Sequence, residues 1–427
     1  MMGQEPKGKR LLILGGMRLS CEIVKKAQEL GIITIVADYN KVEDSPGKQI
    51  ADEAVDLSVT DVDAVVSFIK GNRIDGVFVG FNDMLLPFYA EICQRAGLPC
   101  YGTKELFELL IAKDQYKSLC RRFGVPTIPE YDYSDDDIQY PVLVKPVDNS
   151  GSRGITICHN KKELELAVKT GKSASKVGKV LIERYMNGRE VTVFWTFQNG
   201  EYYLSALGNR HVKQNQGDDV IPLPVGYTFP SVFLPKYRAE VEDNCKQMFR
   251  YLGIKDGMMF MQCKVEDGTC YLYDLGFRPT GSLEYKLLNR ICGYNPLEMM
   301  IRFALTGKMG EESIAEKAVP EFKTPAFNVS CLCAPGTIKE ITGIDKVMKM
   351  PEVEDVVLAH TAGETIAEHT RGLLSQIAIR VLGVVPSKND LLSVMTRIED
   401  IINIIGIDGE PLLLPGIEHD DIEGYIN

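Results

Sequence analysis

Residues 140–155 read YPVLVKPVDNSGSRGI, an apolar run that leads into a loop of small residues. The pattern predicts a strand that delivers Lys145 at its end, after which Pro146 stiffens the chain. Backbone N–H groups of the loop Asp148–Gly154 can fold over phosphate oxygens, and a lysine beside them suits a nucleoside triphosphate. Taken alone, however, the segment is more simply an exposed lysine before a flexible hairpin loop.

The segments on either side of this loop favour the nucleotide interpretation. Lys113 precedes the loop by one predicted helix, and the strand that begins at Val180 ends at Glu183 and leads through a glycine to Glu190. A nucleotide needs cations for its phosphates and an acidic strand end that accepts hydrogen bonds from adenine or ribose. The order of these residues meets both needs.

The N-terminal part of the chain has the pattern of a parallel α/β domain. Two apolar runs, Arg10–Leu14 and Ile32–Ala37, flank a helical segment that follows a pair of glycines. A strand, glycine loop, helix and strand form one unit of a doubly wound sheet, whose strands are buried on both faces. Further strands are predicted at 54–59 and 76–80, with helices at 63–71 and 84–97.

The remaining chain changes its pattern twice. A helix over 104–124 leads into two prolines, and the β-rich segments that follow predict antiparallel hairpins with turns at Asn199-Gly200 and Asp267-Gly268. From Thr324 onward, short strands mixed with helices predict a small third domain. Helices are predicted at Lys161–Lys169, Lys236–Leu252, Thr370–Leu382 and Leu391–Ile405.

Composition argues against several classes of protein. The chain has 427 residues, of which 45% are hydrophobic and 25% charged, and a net charge of −11. No run approaches the roughly 18 apolar residues of a membrane span, and no basic stripe suits nucleic acid. The 11 cysteines include no CxxC pair and the 5 histidines are dispersed, so a zinc site has little basis. We expect a cytoplasmic protein with buried free thiols, and neither membrane nor nucleic acid as a partner.

The order and spacing of these segments resemble the ATP-grasp superfamily, specifically its biotin carboxylase and carbamoyl-phosphate synthase-like branch. The resemblance covers nearly the whole chain and implies a mixed α/β and α+β fold. It implies a Rossmann-like preATP-grasp domain over residues 1–110, an ATP-grasp domain with a split antiparallel sheet over 111–323, and a small C-terminal α+β domain over 324–427. Within the second domain, residues 111–185 would bind ATP beneath a glycine-rich lid and residues 186–323 would carry the metal site.

By this resemblance, the ATP-binding residues fall into four groups. Lys113 and Lys145 would contact the phosphates, and the loop 149–154 would be the lid over the β- and γ-phosphates. Glu183 to Met186 would form the hinge that holds adenine, with Glu190 near the ribose. The implied ATP-binding residues are Lys113, Lys145, Ser150, Gly151, Ser152, Gly154, Glu183, Arg184, Tyr185, Met186 and Glu190.

The metal motif departs from the family pattern. The family has an acid on one strand and then E-x-N-x-R on the next, whereas this chain has Gln262 and then Asp274-Leu-Gly-Phe-Arg278. Asp274 and Gln262 are the implied metal ligands, and one Mg²⁺ or two would accompany ATP, the second with weaker support because Gly276 replaces the asparagine. Glu266 and Glu284 are possible substitute ligands, although each is more simply a solvated surface acid.

Arg278 and Arg210 are the predicted catalytic residues. A guanidinium at either position could clamp a substrate carboxylate or the transferring phosphoryl group. His211, next to Arg210, is equally well explained as a hydrogen-bonded structural residue. The implied activity is an ADP-forming carboxylate–amine ligase that activates a small anionic carboxylate as an acyl phosphate for a nucleophile.

Two other activities remain open at this point. One is a carboxylase or carbamoyl-phosphate-type enzyme that uses bicarbonate, and the other is a regulatory protein that binds ATP without turnover, which Gln262 and Gly276 suggest. The retained lysines, together with Asp274 and Arg278, favour an active enzyme. Homodimerisation is common in the family, so a homodimer is a further expectation.

Overall fold

The computed structural model describes residues 6–148, 154–213 and 223–425. The strands are β1 Arg10–Leu14, β2 Ile33–Asp38, β3 Glu53–Asp56, β4 Gly76–Phe78, β5 Glu130–Tyr131, β6 Val142–Pro146, β7 Thr156–Cys158, β8 Val180–Arg184, β9 Arg189–Gln198, β10 Glu201–Val212, β11 Pro224–Phe229, β12 Gly257–Glu266, β13 Thr269–Gly276, β14 Ala326–Leu332, β15 Gly336–Thr342, β16 Val353–Leu358, β17 Thr365–Ile366, β18 Ile377–Val384 and β19 Asn403–Gly406. The α-helices are α1 Ser20–Glu29, α2 Pro46–Ile50, α3 Val62–Gly71, α4 Leu86–Ala96, α5 Lys104–Ile111, α6 Lys113–Arg122, α7 Lys161–Ala174, α8 Leu234–Glu240, α9 Glu242–Tyr251, α10 Glu284–Cys292, α11 Pro296–Thr306, α12 Ile344–Val347, α13 Asp390–Ile401 and α14 His419–Ile422.

The first sheet is parallel and has the strand order β3-β2-β1-β4. The central strand β1 is apolar, as is typical of a parallel strand that is buried on both faces of its sheet. Its residues Leu11, Leu12 and Ile13 are fully buried. The turn after β1 packs closely, since a Cβ at Gly16 would lie 1.9 Å from Ser45 Oγ. The predicted parallel N-terminal sheet is confirmed.

A second sheet, with the order β5-β8-β6-β7, carries the segment quoted first. It is antiparallel, and α7 packs against it over a small core of its own that includes Val142, Val144, Leu164 and Ile182. Lys145 lies near the end of β6, where the sequence places it.

The third sheet has eight strands in the order β13-β12-β9-β10-β11-β14-β18-β16. Both predicted hairpin turns are present, with φ of 54° and 82° at Asn199 and Gly200 and of 51° and 75° at Asp267 and Gly268. Positive φ at both turn residues is the geometry that Asn-Gly and Asp-Gly adopt in two-residue hairpins. Strands β14, β16 and β18 belong to this sheet, so the sheet continues past residue 324, where the sequence predicts a domain boundary. The division of the chain into three domains stays a prediction.

The helices predicted over 104–124 and Lys236–Leu252 are each divided into two shorter helices, and two other stretches of predicted helix contain a strand. The prediction of a helix over Thr370–Leu382 is wrong, because 3₁₀ turns lead into strand β18 at Ile377. Its sequence, IAIRVLGV, is rich in β-branched residues, and burial against neighbouring strands overrides the helical spacing. The last predicted helix ends at Ile401, and Asn403 begins β19 in the small sheet β17-β15-β19.

The thiol and membrane expectations can be compared directly with the structure. All 11 cysteines are free, and all are buried except the half-buried Cys100 and Cys292. Among the described residues, no helix combines the length and apolar character needed to cross a membrane.

Candidate active site

Two buried lysines converge on Glu183. Lys145 Nζ lies 2.8 Å from Glu183 Oε1, and Lys117 Nζ on α6 contacts the same oxygen. All three side chains are at most 5% exposed. Burial lowers the pKa of the Lys145 ammonium, and the charges of Lys117 and Lys113 add to this effect against the opposing charge of Glu183. Glu183 therefore acts as the shared counter-ion of one lysine on helix α6 and one on strand β6.

A β-bulge lies beside these lysines. The register of β12 and β13 shifts after Gln262, which leaves Tyr273 without a partner across the hairpin. The Tyr273 carbonyl accepts hydrogen bonds from Lys145 Nζ at 3.0 Å and from the Tyr116 hydroxyl at 3.3 Å. Bulges release backbone groups from the ladder and are common next to functional sites. Here the bulge joins the lysine-bearing sheet to the eight-stranded sheet.

Gln262 and Asp274 face each other on neighbouring strands. Their Cα positions are paired across β12 and β13, so their side chains share one face of the sheet. Lys113 Nζ lies 3.5 Å from Asp274 Oδ1, and the Asp274 side chain is 32% exposed. One carboxylate and one amide oxygen, completed by phosphate and water oxygens, suit a Mg²⁺ ion. The residues present therefore fit the predicted metal.

A side chain at Gly276 would have no room. A Cβ there would lie 2.4 Å from Cε1 of Phe260, the residue paired with Gly276 across the hairpin. The same ring lies 5.1 Å from the Arg278 guanidinium carbon. Phe260 thus fills the space of the family's asparagine ligand, which leaves Asp274 and Gln262 as the protein donors on this hairpin.

A row of charged side chains crosses the sheet next to the predicted metal ligands. Glu190 on β9 is paired in register with Arg210 on β10 and with Lys264 on β12. Its carboxylate contacts Arg210 Nη1, lies 2.6 Å from Lys264 Nζ and accepts a 3.0 Å hydrogen bond from the Tyr273 hydroxyl. Burial opposes the charge of Glu190, but Lys264 and Arg210 outweigh it and lower the pKa of the carboxyl to about 2.

Arg278 is held by an acid from the N-terminal sheet. Its Nε donates to Asp83 Oδ1 at 2.7 Å and its Nη2 donates to Asp83 Oδ2 at 2.6 Å, while Nη1 donates to the carbonyl of Pro279 at 2.9 Å. This fork-to-fork pairing fixes the plane of the guanidinium. A guanidinium has five N–H donors, so Arg278 retains donors on its Nη atoms for a further anion.

Residues 138–278 match the family described as "ATP-grasp domain". These residues form an ATP-grasp domain. The match includes Lys145, Glu183, Gln262, Asp274 and Arg278, and it confirms the superfamily that the sequence resembles.

Several known proteins are similar to the chain beyond this domain. The 2-oxoglutarate carboxylase small subunit of Hydrogenobacter thermophilus is 25% identical over 324 residues, which cover 69% of this chain and 66% of that protein. The carbamoyl phosphate synthase large chain of Clostridium beijerinckii is 23% identical over 330 residues, 73% of this chain but 30% of that protein. The chain thus spans less than two thirds of the length of these relatives.

Solved structures extend the likeness to the whole fold. An L-amino acid ligase from Bacillus licheniformis superimposes with a TM-score of 0.76 at 21% identity, covering 94% of this chain and 99% of that one. A phosphoribosylglycinamide synthetase from Anaerococcus prevotii gives a TM-score of 0.71 at 18% identity, covering 93% and 99%. The predicted ATP-grasp fold, with its N-terminal parallel sheet, is confirmed.

The predicted hinge of the ATP-grasp domain is held in place by backbone hydrogen bonds and by the burial of Met186. Arg184 N donates to the Pro129 carbonyl at 2.9 Å, and Tyr185 N donates to the Pro141 carbonyl at 3.2 Å. Met186 is buried at 6% exposure. These contacts fix the course of the hinge, and its role toward adenine stays a prediction.

Part of the predicted lid cannot be compared with the structure. Ser150, Gly151 and Ser152 lie outside the described residues. Gly154 is described, with φ of 76°, and a Cβ there would lie 3.1 Å from Pro146 Cγ. The end of the lid loop therefore packs on the proline that follows Lys145, in a conformation that favours glycine.

Of the two acids predicted as possible substitute metal ligands, Glu266 is paired with an arginine and Glu284 is buried. Glu266 lies 2.7 Å from Arg184 Nη2, at the rim of the ATP-grasp domain. Glu284 is 2% exposed, so its interpretation as a solvated surface acid is wrong. The surface interpretation failed because Glu284 begins α10 and points into the protein, which a single charged residue in the sequence does not reveal.

His211 is held as a structural residue by its burial and its hydrogen bonds. Its ring nitrogens contact the Asp421 carbonyl at 3.0 Å and Thr228 Oγ1 at 2.8 Å. Burial lowers the pKa of the His211 ring to about 4. The structural interpretation of His211 therefore agrees with its surroundings.

Sequence reasoning missed several residues that the fold brings to the ATP-grasp site. Lys117 lies one helical turn after Lys113, and its spacing could have signalled a second cation on the same helix face. Asp83 could not be found this way, since it follows a strand of another sheet and no local pattern links it to Arg278.

Proposed function

We propose that the chain is an ATP-dependent ligase that activates a substrate carboxylate as an acyl phosphate, releases ADP, and joins the acyl group to an amine. The observation that carries this proposal is that candidate phosphate-binding groups and a candidate carboxylate-binding arginine lie on adjoining elements. Lys113, Lys145 and Asp274 cluster where a triphosphate would lie, and Arg210 follows on the same sheet face. The names of the ligases with a similar fold support the same class of reaction.

In the first step, an oxygen of the substrate carboxylate attacks the γ-phosphorus of ATP, and the bond from that phosphorus to the β,γ-bridging oxygen breaks. The leaving ADP and the transferred phosphoryl group carry negative charge that Lys113 and Lys145 would neutralise. A Mg²⁺ ion held by Asp274 and Gln262 would supply further charge neutralisation when bound. The chain's contribution is chiefly positioning, since phosphoryl transfer needs the reacting atoms in line.

In the second step, the amine nitrogen attacks the carbonyl carbon of the acyl phosphate, phosphate leaves, and the nitrogen gives up a proton. Carboxylates are poor electrophiles, so the first step supplies the leaving group. Water must be kept away, because it would hydrolyse the acyl phosphate. The predicted lid over residues 149–154 would close the site for this purpose.

A carboxylase is the second candidate, and one observation favours it. The 2-oxoglutarate carboxylase small subunit of Hydrogenobacter thermophilus matches 69% of this chain, and bicarbonate chemistry would use the same phosphoryl transfer. The two candidates differ in the acid that is phosphorylated, so the product assay below separates them.

We also propose that the active species is a homodimer with small molecules as its other partners. A solved structure with the same fold, the biotin carboxylase domain of the Hydrogenobacter thermophilus 2-oxoglutarate carboxylase, is a domain dimer. Light scattering on the purified chain tests this: twice the mass of 47.6 kDa is expected, and the monomer mass would overturn the proposal.

The test of the proposed function is a nucleotide product assay. Purified protein is incubated with Mg-ATP, pools of amino acids and small carboxylates, or bicarbonate, with and without hydroxylamine. We expect acid-dependent ADP together with a hydroxamate, and at least a tenfold loss in Lys145→Ala. Lys179→Ala is the matched control, because the Lys179 side chain is 68% exposed and lies on the same part of the domain.

The product pattern decides between the candidates. ADP that depends on bicarbonate alone would support the carboxylase, and AMP with pyrophosphate would contradict the mechanism. ATP binding without ADP from any acid would favour a regulatory protein. Equal activity of Lys145→Ala and wild type would remove Lys145 from the site.

A further inference from the structure

The polar face of the eight-stranded sheet continues beyond the residues predicted from sequence. Arg210 on β10 is paired in register with Tyr227 on β11, and Tyr227 with Asn328 on β14. Two residues further along β14, Ser330 is paired with Arg380 on β18. Residues that oppose each other in an antiparallel sheet share a face, as do residues two apart on one strand. Arg380 therefore lies on the face that carries Arg210.

Three buried polar atoms on this face have no hydrogen-bond partner among the described residues. They are Thr192 Oγ1, Arg210 Nε and Asn328 Oδ1, and their side chains are between 1% and 7% exposed. An unpaired buried donor or acceptor is costly, so native proteins rarely keep several together unless something binds there. The combination of donor and acceptor atoms indicates a polar ligand.

Arg380 is a buried cation without an acidic partner. Its Nη1 donates to Ser330 Oγ at 2.9 Å, and the guanidinium forms no ion pair with any residue that the structure describes. Burial lowers the pKa of Arg380, and the charge of Arg210 adds to this effect, while Tyr227 and Glu284 only partly offset it. An uncompensated buried guanidinium is costly, and an anion from a ligand would compensate it.

Glu284 lies in the same cluster. Its Oε2 accepts a 3.2 Å hydrogen bond from the Ser282 hydroxyl, and the Ser282 carbonyl accepts a 2.6 Å hydrogen bond from Asn328 Nδ2. Glu284 and Arg380 are close enough to influence each other's charge but are not paired in the described structure. The cluster thus contains both a cation, Arg380, and an acid, Glu284.

We propose that Arg380, Glu284 and Asn328 form the acceptor subsite, which binds an α-amino acid by its carboxylate on Arg380 and its ammonium group on Glu284 and Asn328 Oδ1. The inference rests on the proposed function and names the class of its amine substrate. A simple amine would leave Arg380 uncompensated, and a simple carboxylate would leave Asn328 Oδ1 without a donor and Glu284 with the Ser282 hydroxyl as its side-chain donor. A zwitterion meets all three needs.

The subsite is compatible with the second step of the ligase reaction. The ammonium group loses one proton to water before its nitrogen attacks the carbonyl carbon of the acyl phosphate. As the C–N bond forms, the bond from that carbon to the phosphate oxygen breaks, and the nitrogen gives its second proton to the leaving phosphate. Arg380 would hold the carboxylate of the acceptor amino acid away from the phosphoryl group. The carboxylate of the other substrate would then be the one that is phosphorylated.

The test measures both the binding of amino acids to the protein and amide-bond formation with them. Individual L-amino acids and their C-terminal amides are titrated calorimetrically into the protein with Mg-ADP, using wild type, Arg380→Gln, Arg380→Lys and Glu284→Gln. Arg290→Gln is the matched control, since Arg290 is on the same helix as Glu284 but 57% exposed and paired with Glu354. Circular dichroism and thermal unfolding verify that each variant is folded.

We expect at least one L-amino acid to bind and its amide to bind about ten- to hundredfold more weakly, as for the loss of a charge-assisted contact. Arg380→Gln should weaken the amino acid by a similar factor, Arg380→Lys by less, and Arg290→Gln not at all. Amide-bond formation with an amino acid should fall in folded Arg380→Gln, whereas both amide-bond and hydroxamate formation by the control Arg290→Gln should equal those of wild type.

Two results would overturn the inference. One is that wild type binds no L-amino acid, and the other is that Arg380→Gln and Glu284→Gln bind amino acids as tightly as wild type. If amino acids bind in an Arg380-dependent manner but no acid yields hydroxamate, the subsite stands and the proposed ligase function fails.

Discussion

At the scale of single residues, the site is organised by acids that face cations rather than by isolated reactive groups. Glu183 faces two lysines, Glu190 faces Arg210 and Lys264, and Arg278 is held by one aspartate. Paired charges remain ionised when buried, so the cations keep their positions before substrate arrives. Arg380 and Glu284 are the exceptions, because each is buried and its side-chain hydrogen-bond partner in the described residues is an uncharged serine.

Gln262→Glu should raise the affinity for Mg²⁺, because a carboxylate replaces a neutral donor opposite Asp274. A further charged ligand should strengthen binding by about tenfold or more. Titration of Mn²⁺ into the protein with ADP, followed by electron paramagnetic resonance, measures this directly. Gln198→Glu serves as a control on the same sheet, and an unchanged Mn²⁺ affinity of Gln262→Glu would remove Gln262 from the metal site.

Glu284 should make the protein less stable as pH rises. Burial raises its pKa from the ordinary 4.5 to about 8, so between these values the folded state holds a proton that the unfolded chain releases. The free energy of unfolding should therefore fall with increasing pH across this window, by up to about 1.4 kcal/mol per unit, and level off above it.

Glu284→Gln isolates this effect. Thermal unfolding midpoints of the variant and wild type are compared at about pH 5.5 and about pH 7.5. We expect the variant to gain stability relative to wild type at the higher pH. A difference that is independent of pH would show that Glu284 ionises normally in the folded protein.

At the scale of elements, the hairpin β12–β13 combines three local features that the site uses. The bulge at Tyr273 presents a carbonyl to Lys145, the paired positions of Gln262 and Asp274 place both donors on one face, and Gly276 lets Phe260 lie against the strand. Each feature depends on register, so a change at one position of the hairpin affects the others.

Gly276→Asn should destabilise the protein although it restores the family's residue. The new side chain would overlap the Phe260 ring, and overpacking of this kind costs about 1–3 kcal/mol. Thermal unfolding measures the loss, with Gly71→Asn as a control because nothing lies within 4 Å of a Cβ at Gly71. The double variant Gly276→Asn/Phe260→Ala should relieve the overlap, and an undiminished stability of Gly276→Asn alone would contradict the packing argument.

At the scale of the whole molecule, the site lies where the three larger sheets meet. Asp83 follows β4 of the N-terminal sheet, and Lys145 and Glu183 lie on the second sheet. The predicted metal donors lie on β12 and β13 of the eight-stranded sheet, and Arg278 follows β13. Aromatic packing supports this junction, since Tyr101 lies edge-on to Phe277 with ring centroids 5.1 Å apart.

Asp83→Ala should weaken the junction between the N-terminal sheet and the site. The Asp83 and Arg278 side chains are 15% and 13% exposed, so the pair is half-buried, and loss of one partner should cost less than the roughly 3–5 kcal/mol of a fully buried pair. The unfolding midpoint should fall accordingly. The exchange Asp83→Arg/Arg278→Asp should recover part of the stability but not ATP turnover, and full activity of the exchanged protein would show that Arg278 serves only to join the sheets.

The sequence by itself determined those features that depend on local patterns. Alternation and turn residues predicted the hairpins at Asn199-Gly200 and Asp267-Gly268, and the apolar run before Lys145 predicted its strand. The ATP-grasp family followed from the order of motifs along the chain, because their spacing reflects the order of the elements. The helix predicted over Thr370–Leu382 shows the limit, since helical spacing was overridden by burial in a sheet.

Only the tertiary structure decided which distant groups meet. Asp83 and Arg278 are 195 residues apart, and Arg380 shares a face with Arg210 because the strand order places β11 and β14 between β10 and β18. Burial of Glu284 and the ring that fills the space beside Gly276 likewise arise from packing between elements. Long-range pairing and desolvation depend on the assembled fold, and no window of the sequence contains both partners.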